Sequence, residues 1–175
     1  MAAEVRAEEK MPPPRFASFL ARLLTYDTGL KARAGNAIVI AVVCRGRDHA
    51  GLNESLELAS ALKTLELATI LDLPVRTLSL PLGNPAELEK AVEKRGIDAF
   101  VVCSQVEGSN PEIKQVAEKQ QVMTIGTTSA QVRAGLAVAV YLEAGKSKIL
   151  VNHSASKREG AVLSSDLLRL AEVIP

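Results

Sequence analysis

The feature that most constrains the fold is an unbroken apolar run over residues 37–44, Ala-Ile-Val-Ile-Ala-Val-Val-Cys. A strand with one face in water alternates apolar and polar residues, whereas this run contains no polar position. Continuous, largely β-branched sequence of this length is typical of a strand that is buried on both faces. The run therefore predicts an α/β fold, with helices covering both faces of a mostly parallel sheet.

The remainder of the chain fits this architecture because strand patterns alternate with helix patterns. Further strands are predicted over residues 75–80, 99–103 and 122–125. Helices are predicted to begin near Phe16, Asn53, Asn84, and Ser109 or Asn110, and a last helix is predicted from Ser164 to Val173. Residues 136–142 and 148–151 flank the turn Glu143–Lys146, which predicts an antiparallel C-terminal hairpin at the edge of the sheet.

The N-terminal residues differ in composition from the rest of the chain. Residues 1–14 are charged and Ala-rich and end in Pro12-Pro13-Pro14. This composition predicts a flexible tail that ends in a stiff polyproline segment. No linker or repeat divides the remainder, so residues 15–175 are predicted to form a single domain.

Charge and composition disfavour two classes of partner. Twenty-one basic and twenty acidic residues leave a net charge of +1, and aromatic residues make up 3% of the chain. Nucleic-acid binding normally needs a clustered basic face and stacking aromatics, so we expect no nucleic-acid partner. No apolar run approaches the length of a membrane helix, so direct membrane insertion is not expected.

The polar residues that follow the predicted strands are the candidate site. In open α/β sheets, ligands bind outside the carboxyl ends of the strands. These ends are followed by Arg45, Arg47, Asp48 and His49, by Ser104 and Gln105, and by Thr127 and Thr128. We interpret them as residues that bind a partner or a ligand. The alternative for the charged loop after residue 44 is ordinary solvation.

The same segments do not match known catalytic motifs. Gly46 and Gly51 have the spacing of a phosphate loop, but the Lys and hydroxyl residue that would hold phosphate and Mg²⁺ do not follow. Neither a dinucleotide fingerprint nor a nucleophile elbow is present in the sequence. Cys103 with His49 could form a Cys–His pair, but no third orienting residue is indicated. His49 and His153 are too few for a metal site. We therefore expect no catalytic residue, metal or cofactor.

The two cysteines, Cys44 and Cys103, both end predicted strands. In the commonest order of such sheets the first strand lies beside the third, so the two residues are predicted to be spatial neighbours. Two buried free thiols are favoured, and a disulfide is the alternative.

The C-terminal part of the chain, from Thr124 onward, resembles the closing pattern of the YfiR/HmsC-like family. The segments that carry the resemblance are Thr124-Ile125-Gly126, Arg133-Ala134-Gly135, two strands ending near Asn152, Gly160, and the stretch Leu163-Ser164-Ser165-Asp166-Leu167-Leu168-Arg169-Leu170-Ala171. The opening, with Phe16, Phe19 and Leu20 on a first helix before the strand at 37–44, is also similar. Tyr26-Asp27 stands where the family often has Trp-Pro, and Ala161 where it usually has Leu.

The resemblance implies a non-enzymatic, dimeric protein of the periplasm. Such a protein restrains a membrane-bound diguanylate cyclase by binding its periplasmic part, and so acts in cyclic-di-GMP and biofilm signalling. The first ten residues lack the apolar stretch of a signal peptide. Two interpretations fit this start: an exported chain whose signal has been replaced by a new Met, or a cytoplasmic protein. The alternative function is a small-ligand sensor or a solute-binding half-domain.

Overall fold

In the computed structural model, the predicted buried strand lies at the centre of the sheet. The structure describes residues 7–45 and 49–175, except for the side chains of residues 49–51. The strands are β1 (Glu8–Glu9), β2 (Ile38–Cys44), β3 (Thr69–Ile70), β4 (Leu73–Pro81), β5 (Ala99–Val102), β6 (Met123–Gly126), β7 (Val138–Glu143), β8 (Lys146–Asn152) and β9 (Glu172–Ile174). The helices are α1 (Pro13–Thr25), α2 (Leu30–Ala34), α3 (His49–Lys63), α4 (Pro85–Arg95), α5 (Pro111–Gln120), α6 (Ser129–Ala134), α7 (His153–Arg158) and α8 (Ser165–Leu170).

The strands form one mixed sheet in the order β3-β4-β2-β5-β6-β7-β8-β9. The pairs from β4 through β2, β5 and β6 to β7 are parallel, and β7 pairs with β8 in an antiparallel hairpin. The predicted fold class is confirmed. The hairpin lies one strand inside the edge, because β9 adds to β8 in parallel.

Strand β2 divides its side chains between two cores, which explains its continuous apolar sequence. Ile38, Ile40 and Val42 face the core beneath α1 and α3. Val39 and Val43 face the second core, beneath α4 and α5. All seven residues of β2 are buried. Because successive side chains of a strand point to opposite faces, a central strand needs apolar residues at every position.

The N-terminal segment differs from the predicted tail over its described part. Glu8 and Glu9 pair antiparallel with β7, and the side chain of Met11 is buried. Pro13 and Pro14 form the first turn of α1, where the missing amide hydrogen of proline costs no intrahelical bond. Residues 1–6 lie outside the described part of the chain. The division of the chain into domains stays a prediction.

The last predicted helix, which was expected to reach Val173, ends at Leu170. Ala171 is extended, and Val173 then pairs with Val151 of β8. The apolar spacing of this segment suits a helix, but the open edge of β8 offers backbone partners that a further helical turn cannot use. Strand pairing therefore replaces the last turn of the helix.

The opposite edge of the sheet is strand β4. The two-residue strand β3 pairs only with its first residues, Leu73 and Pro74. Farther along, the carboxylate of Glu66 accepts hydrogen bonds from the Thr77 amide at 2.8 Å and from the Thr77 hydroxyl at 2.9 Å. A side chain thus takes the place of a neighbouring strand at this position.

Candidate functional site at the carboxyl edge of the sheet

The carboxyl ends of β2, β5 and β6 lie side by side and bring together residues that are distant in sequence. Ser104 and Gln105 follow β5, and Thr127 and Thr128 follow β6. Arg45 is exposed at the end of β2. The predicted site residues Arg47 and Asp48 lie outside the described part of the chain. His49 begins α3, and its side chain also lies outside the described part.

Cys44 and Cys103 meet at the middle of this edge. Their Cα atoms are 5.0 Å apart, which confirms the predicted proximity and the adjacency of β2 and β5. Their sulfur atoms are joined as a disulfide, so the expected pair of free thiols is corrected. Both residues end neighbouring parallel strands in register, and this brings the two side chains to the same place. The chain leaves β2 toward β4 on one side and returns to β5 on the other, so the bridge marks the topological switch point.

A carboxylate from α3 fixes the end of β5. Glu54 accepts a hydrogen bond from the Ser104 amide at 2.8 Å and another from the Ser104 hydroxyl at 2.8 Å. The ammonium of Lys10 lies 3.5 Å from the same carboxylate. The Glu54 side chain is 11% exposed, so these contacts form at the boundary between core and solvent.

The amide side chain of Gln131 holds the loops after β5 and β6 together. Its Oε1 accepts hydrogen bonds from the backbone amides of Thr127 at 2.9 Å and Thr128 at 3.2 Å. Its Nε2 donates to the carbonyl oxygens of Cys103 and Val106, both at 2.9 Å. Thr128 and Gln131 also form a capping box at the start of α6. The predicted residues Thr127 and Thr128 are therefore held by a residue that was not predicted to belong to the site.

The N-terminal segment crosses the end of β6. Glu8 accepts hydrogen bonds from the backbone amide of Ser129, at 2.7 Å, and from the Ser129 hydroxyl. Met11 packs into the core beside α1. From β1 to α1 the segment thus forms a strap over this edge of the sheet.

Beneath the strap lies a crevice of about 320 Å³, close to the lower limit for small-molecule sites. We call it the strap crevice. Its lining residues are Lys10, Met11, Pro12, Pro13, Asn53, Glu54, Glu57, Leu58 and Thr127. Thr127 is 6% exposed, and its hydroxyl has no hydrogen-bond partner among the described residues. The crevice therefore combines apolar walls with a buried polar group.

Sequence reasoning identified the two threonines and Ser104 but missed Lys10, Glu54 and Gln131. The Thr128-x-x-Gln131 spacing is a capping-box signature and could have identified Gln131. No short-range pattern relates Glu54 to Ser104. Within the described residues, no group of three or more His, Cys, Asp or Glu side chains is arranged to bind a metal ion. The carboxyl edge thus presents hydrogen-bonding and charged side chains.

The match to a protein-family model decides the family. The YfiR/HmsC-like model matches residues 16–172 of the chain. The chain belongs to the YfiR/HmsC-like family. No curated protein matches it in sequence. No helix in the described part of the chain is long and apolar enough to cross a membrane.

Solved structures with the same fold are similar to this YfiR/HmsC-like chain over most of its length. A conserved domain protein from Vibrio cholerae has 11% identity and a TM-score of 0.59 over 94% of this chain and 60% of its own. An ABC domain in complex with L-Trp from Streptococcus pneumonia has 14% identity and a TM-score of 0.60 over 93% and 62%.

A third similar structure is a ligand-free, open substrate binding protein with adhesive properties from Clostridium difficile. It has 15% identity and a TM-score of 0.58 over 83% of this chain and 57% of its own. The chain thus spans 57–62% of the length of these three proteins. At these identities the similarity shows a shared α/β fold.

Three residues of the YfiR/HmsC-like pattern, Asn152, Gly160 and Ser164, have structural roles at the edge opposite the candidate site. The Asn152 side chain caps α7 by accepting from the Ala155 amide at 3.0 Å, and Ser164 caps α8. Gly160 has a φ of 81°, a left-handed conformation that favours glycine. The family motif therefore specifies the turns that close the domain.

Where this chain departs from the family pattern, Asp27 is fully buried. Its carboxylate accepts from the backbone amides of Gly29 at 3.1 Å and Val162 at 3.0 Å, and it forms an ion pair with Arg33. The guanidinium of Arg33 also donates to the Gly160 carbonyl at 2.7 Å. These bonds tie the end of α1 to the C-terminal segment.

Two further carboxyl groups are buried at this opposite edge. Burial raises the pKa of Glu159 to about 8, although hydrogen bonds from the amide and hydroxyl of Thr124 favour its charged form. Burial also raises the pKa of Asp98 to about 6, against a hydrogen bond from the Val39 amide. Both groups therefore take up protons more readily in the folded protein than in an unfolded chain.

Proposed function

We propose that this protein is a non-enzymatic regulator of the periplasm that binds and restrains a membrane-bound diguanylate cyclase. The observation that carries the proposal is the match of the YfiR/HmsC-like model to residues 16–172. The regulator would act by occupying the periplasmic part of the cyclase. Its release would raise cyclic-di-GMP and favour biofilm formation.

The cysteine pair supports a periplasmic location. Disulfides persist in oxidising compartments and are rare in the cytoplasm of most organisms. The bridge between Cys44 and Cys103 lies within the buried centre of the sheet, where both side chains are at most 2% exposed. A cytoplasmic location is the alternative.

The arrangement at the carboxyl edge favours binding over catalysis. Glu54 and Gln131 hold loop backbone, and their polar atoms are engaged by Ser104, Thr127 and Thr128. A catalytic carboxylate or amide needs to face substrate. Cys103, the candidate nucleophile of the sequence, is bonded to Cys44 and so offers no thiolate.

We further propose that the cyclase contacts the carboxyl edge through Arg45, Arg47, Asp48 and His49, which follow β2 in the sequence. Ser104, Gln105, Thr127 and Thr128 extend the same edge in this proposal. Arg45 is exposed and can reach an acidic surface. The active protein is proposed to be a homodimer, which light scattering of the purified chain would test.

The experiment measures cyclic-di-GMP in the native host after deletion of the gene. We expect the level to rise, and to return to normal when the exported protein is supplied. The same protein retained in the cytoplasm should not restore it. An unchanged level in every strain would refute the proposal.

A matched pair of variants tests the surface. Arg45→Glu should weaken the restraint by reversing a charge at the carboxyl edge. Arg76→Glu is the control, because Arg76 is also exposed but lies near the start of β4, level with Val39 at the start of β2 and away from the carboxyl edge. Equal effects of the two substitutions would remove the carboxyl edge from the interface.

The second candidate function is small-ligand sensing, as a solute-binding half-domain. It is supported by the fold shared with a domain in complex with L-Trp and with a substrate binding protein. A tight ligand raises the melting temperature by mass action. A thermal-shift screen of amino acids and other small solutes separates this function from pure protein binding.

A further inference from the structure

The strap crevice has an excess of negative charge. Glu54 and Glu57 both line it, and residues three apart on a helix are neighbours. Lys10 is the one basic side chain among the described residues that line it. Two acidic residues and a single basic residue therefore line the crevice, so a second cation would be attracted while an anion would be repelled.

The Lys10–Glu54 contact is of a kind that an external ammonium can replace. The Lys10 Nζ lies 3.5 Å from the Glu54 oxygen, and the Lys10 side chain is 56% exposed. The Lys10 end of this pair is open to solvent, so moving its ammonium into water costs little free energy, whereas the Glu54 carboxylate is 11% exposed and keeps its need for a cationic partner. The position of Nζ marks where a positively charged nitrogen sits against this carboxylate.

Thr127 provides a second polar group in the strap crevice. Thr127 lines the crevice, and its buried hydroxyl has no partner among the described residues. An unpaired buried hydroxyl is costly, and a ligand that supplies a hydrogen bond recovers that cost. The walls beside it are apolar and include Met11, Pro12 and Leu58.

We propose that the strap crevice binds a small molecule with a primary ammonium on a compact apolar body. The ammonium contacts Glu54 and Glu57, the apolar body packs against Met11, Pro12 and Leu58, and a polar substituent reaches Thr127. Lys10 then acts as an internal competitor that a ligand displaces. This site is additional to the proposed binding of the cyclase and is measured on the isolated protein.

The test compares three probes of equal shape by isothermal titration calorimetry of the full chain. They are 2-phenylethylamine, which is cationic, 2-phenylethanol, which is neutral, and phenylacetate, which is anionic. We expect the amine to bind about tenfold more tightly than the alcohol, the worth of one charge-assisted hydrogen bond. Phenylacetate should not bind measurably. The probes are titrated to about 10 mM, which for a probe of this size corresponds to about 0.3 kcal/mol per non-hydrogen atom.

Three variants make the assignment specific. Lys10→Met should tighten amine binding about threefold by removing the competitor. Glu57→Gln should weaken it, and Glu57 is exposed, so the variant is expected to fold. Glu93→Gln, on α4 at the opposite face of the sheet, is the matched control and should change nothing.

Absence of amine binding at the highest probe concentration, or equal binding of all three probes, would overturn the proposal. So would a Lys10→Met variant whose affinity is unchanged or reduced. Each of these results leaves the proposed restraint of a cyclase intact, because that function is measured as cyclic-di-GMP in the host. Conversely, loss of cyclase control without loss of amine binding contradicts only the proposed function.

Discussion

Glu54 and Ser104 lie fifty residues apart in the chain and are joined by two hydrogen bonds, one to the Ser104 amide and one to its hydroxyl. The carboxylate comes from α3, and the serine follows β5 directly after Cys103. Helix α3 connects β2 to β3, and its hydrogen bonds to Ser104 attach it to the end of β5. The position of α3 over the carboxyl edge depends on this contact.

Substitution of Glu54 should therefore destabilise the fold. Glu54→Ala leaves the Ser104 amide and hydroxyl without their acceptor, which should lower the free energy of unfolding by about 1–3 kcal/mol. Urea denaturation measures the change. Glu57→Ala, on the same helix and exposed, should shift the free energy of unfolding by less than about 0.5 kcal/mol. Similar losses in the two variants would contradict this role of Glu54.

The disulfide should be visible chemically and thermodynamically. Alkylation of the unfolded, unreduced protein should modify no cysteine, and reduction should expose both Cys44 and Cys103 to the reagent. Their separation of 59 residues in sequence corresponds to about 4 kcal/mol in the loop-closure account of disulfide stabilisation. The double variant with serine at both positions should lose stability of this order. Two alkylated cysteines in protein purified without reductant would contradict the bridge.

Glu159 should make stability depend on pH. Its pKa is about 8 in the folded protein against 4.5 as the ordinary value, so the folded state holds a proton that the unfolded chain releases between these values. Stability should then fall as pH rises from about 4.5 to 8, by at most about 1.4 kcal/mol per pH unit from this group. Asp98 acts in the same direction at lower pH.

Glu159→Gln isolates this contribution. The amide keeps an oxygen for the Thr124 backbone N–H and a donor for its hydroxyl, but it carries no titrating proton. Urea titrations at pH 5 and pH 8 should show a smaller loss of stability in the variant than in the wild type. An equal loss in both proteins would show that Glu159 does not titrate in this range.

The buried pair of Asp27 and Arg33 gives a prediction for the opposite edge. Asp27→Ala leaves Arg33 and the amides of Gly29 and Val162 without their acceptor. Loss of one partner of a fully buried pair costs about 3–5 kcal/mol, and because the Arg33 side chain is 22% exposed, we expect a loss at or below the lower end of this range. Asp27→Asn retains an oxygen acceptor and should lose less. A melting temperature that is unchanged in Asp27→Ala would exclude this role.

The central part of the fold could be predicted because its signals are local. The apolar run at 37–44 indicates burial on both faces without reference to the rest of the chain. Asn84 and Asn110, each followed by proline, are helix starts that the structure confirms through side-chain caps. The spatial proximity of Cys44 and Cys103, which the structure confirms, could be predicted from the expected strand order alone.

The missed features depend on contacts between distant segments. Glu8 pairs with Ser129, and Glu54 pairs with Ser104, across separations of 121 and 50 residues. A charged N-terminus resembles a solvated tail in composition, and only the open side of β7 makes it a strand. The last helix was predicted too long for the same reason, since Val173 gains a partner on β8.

The contact of Glu66 with Thr77 has a consequence for behaviour at high concentration. Strand β4 carries Leu78 and Leu80 beside an edge that β3 covers only at its start. Such an edge can add strands from other molecules and lead to aggregation. Its hydrogen bonds to Thr77 lower the pKa of Glu66, which favours the charged form of this carboxylate. The carboxylate, which also pairs with Lys63, occupies the Thr77 amide midway along the edge, and Pro81 offers no amide at the end of the strand. The β4 edge of the sheet is thus protected against pairing with strands of other molecules.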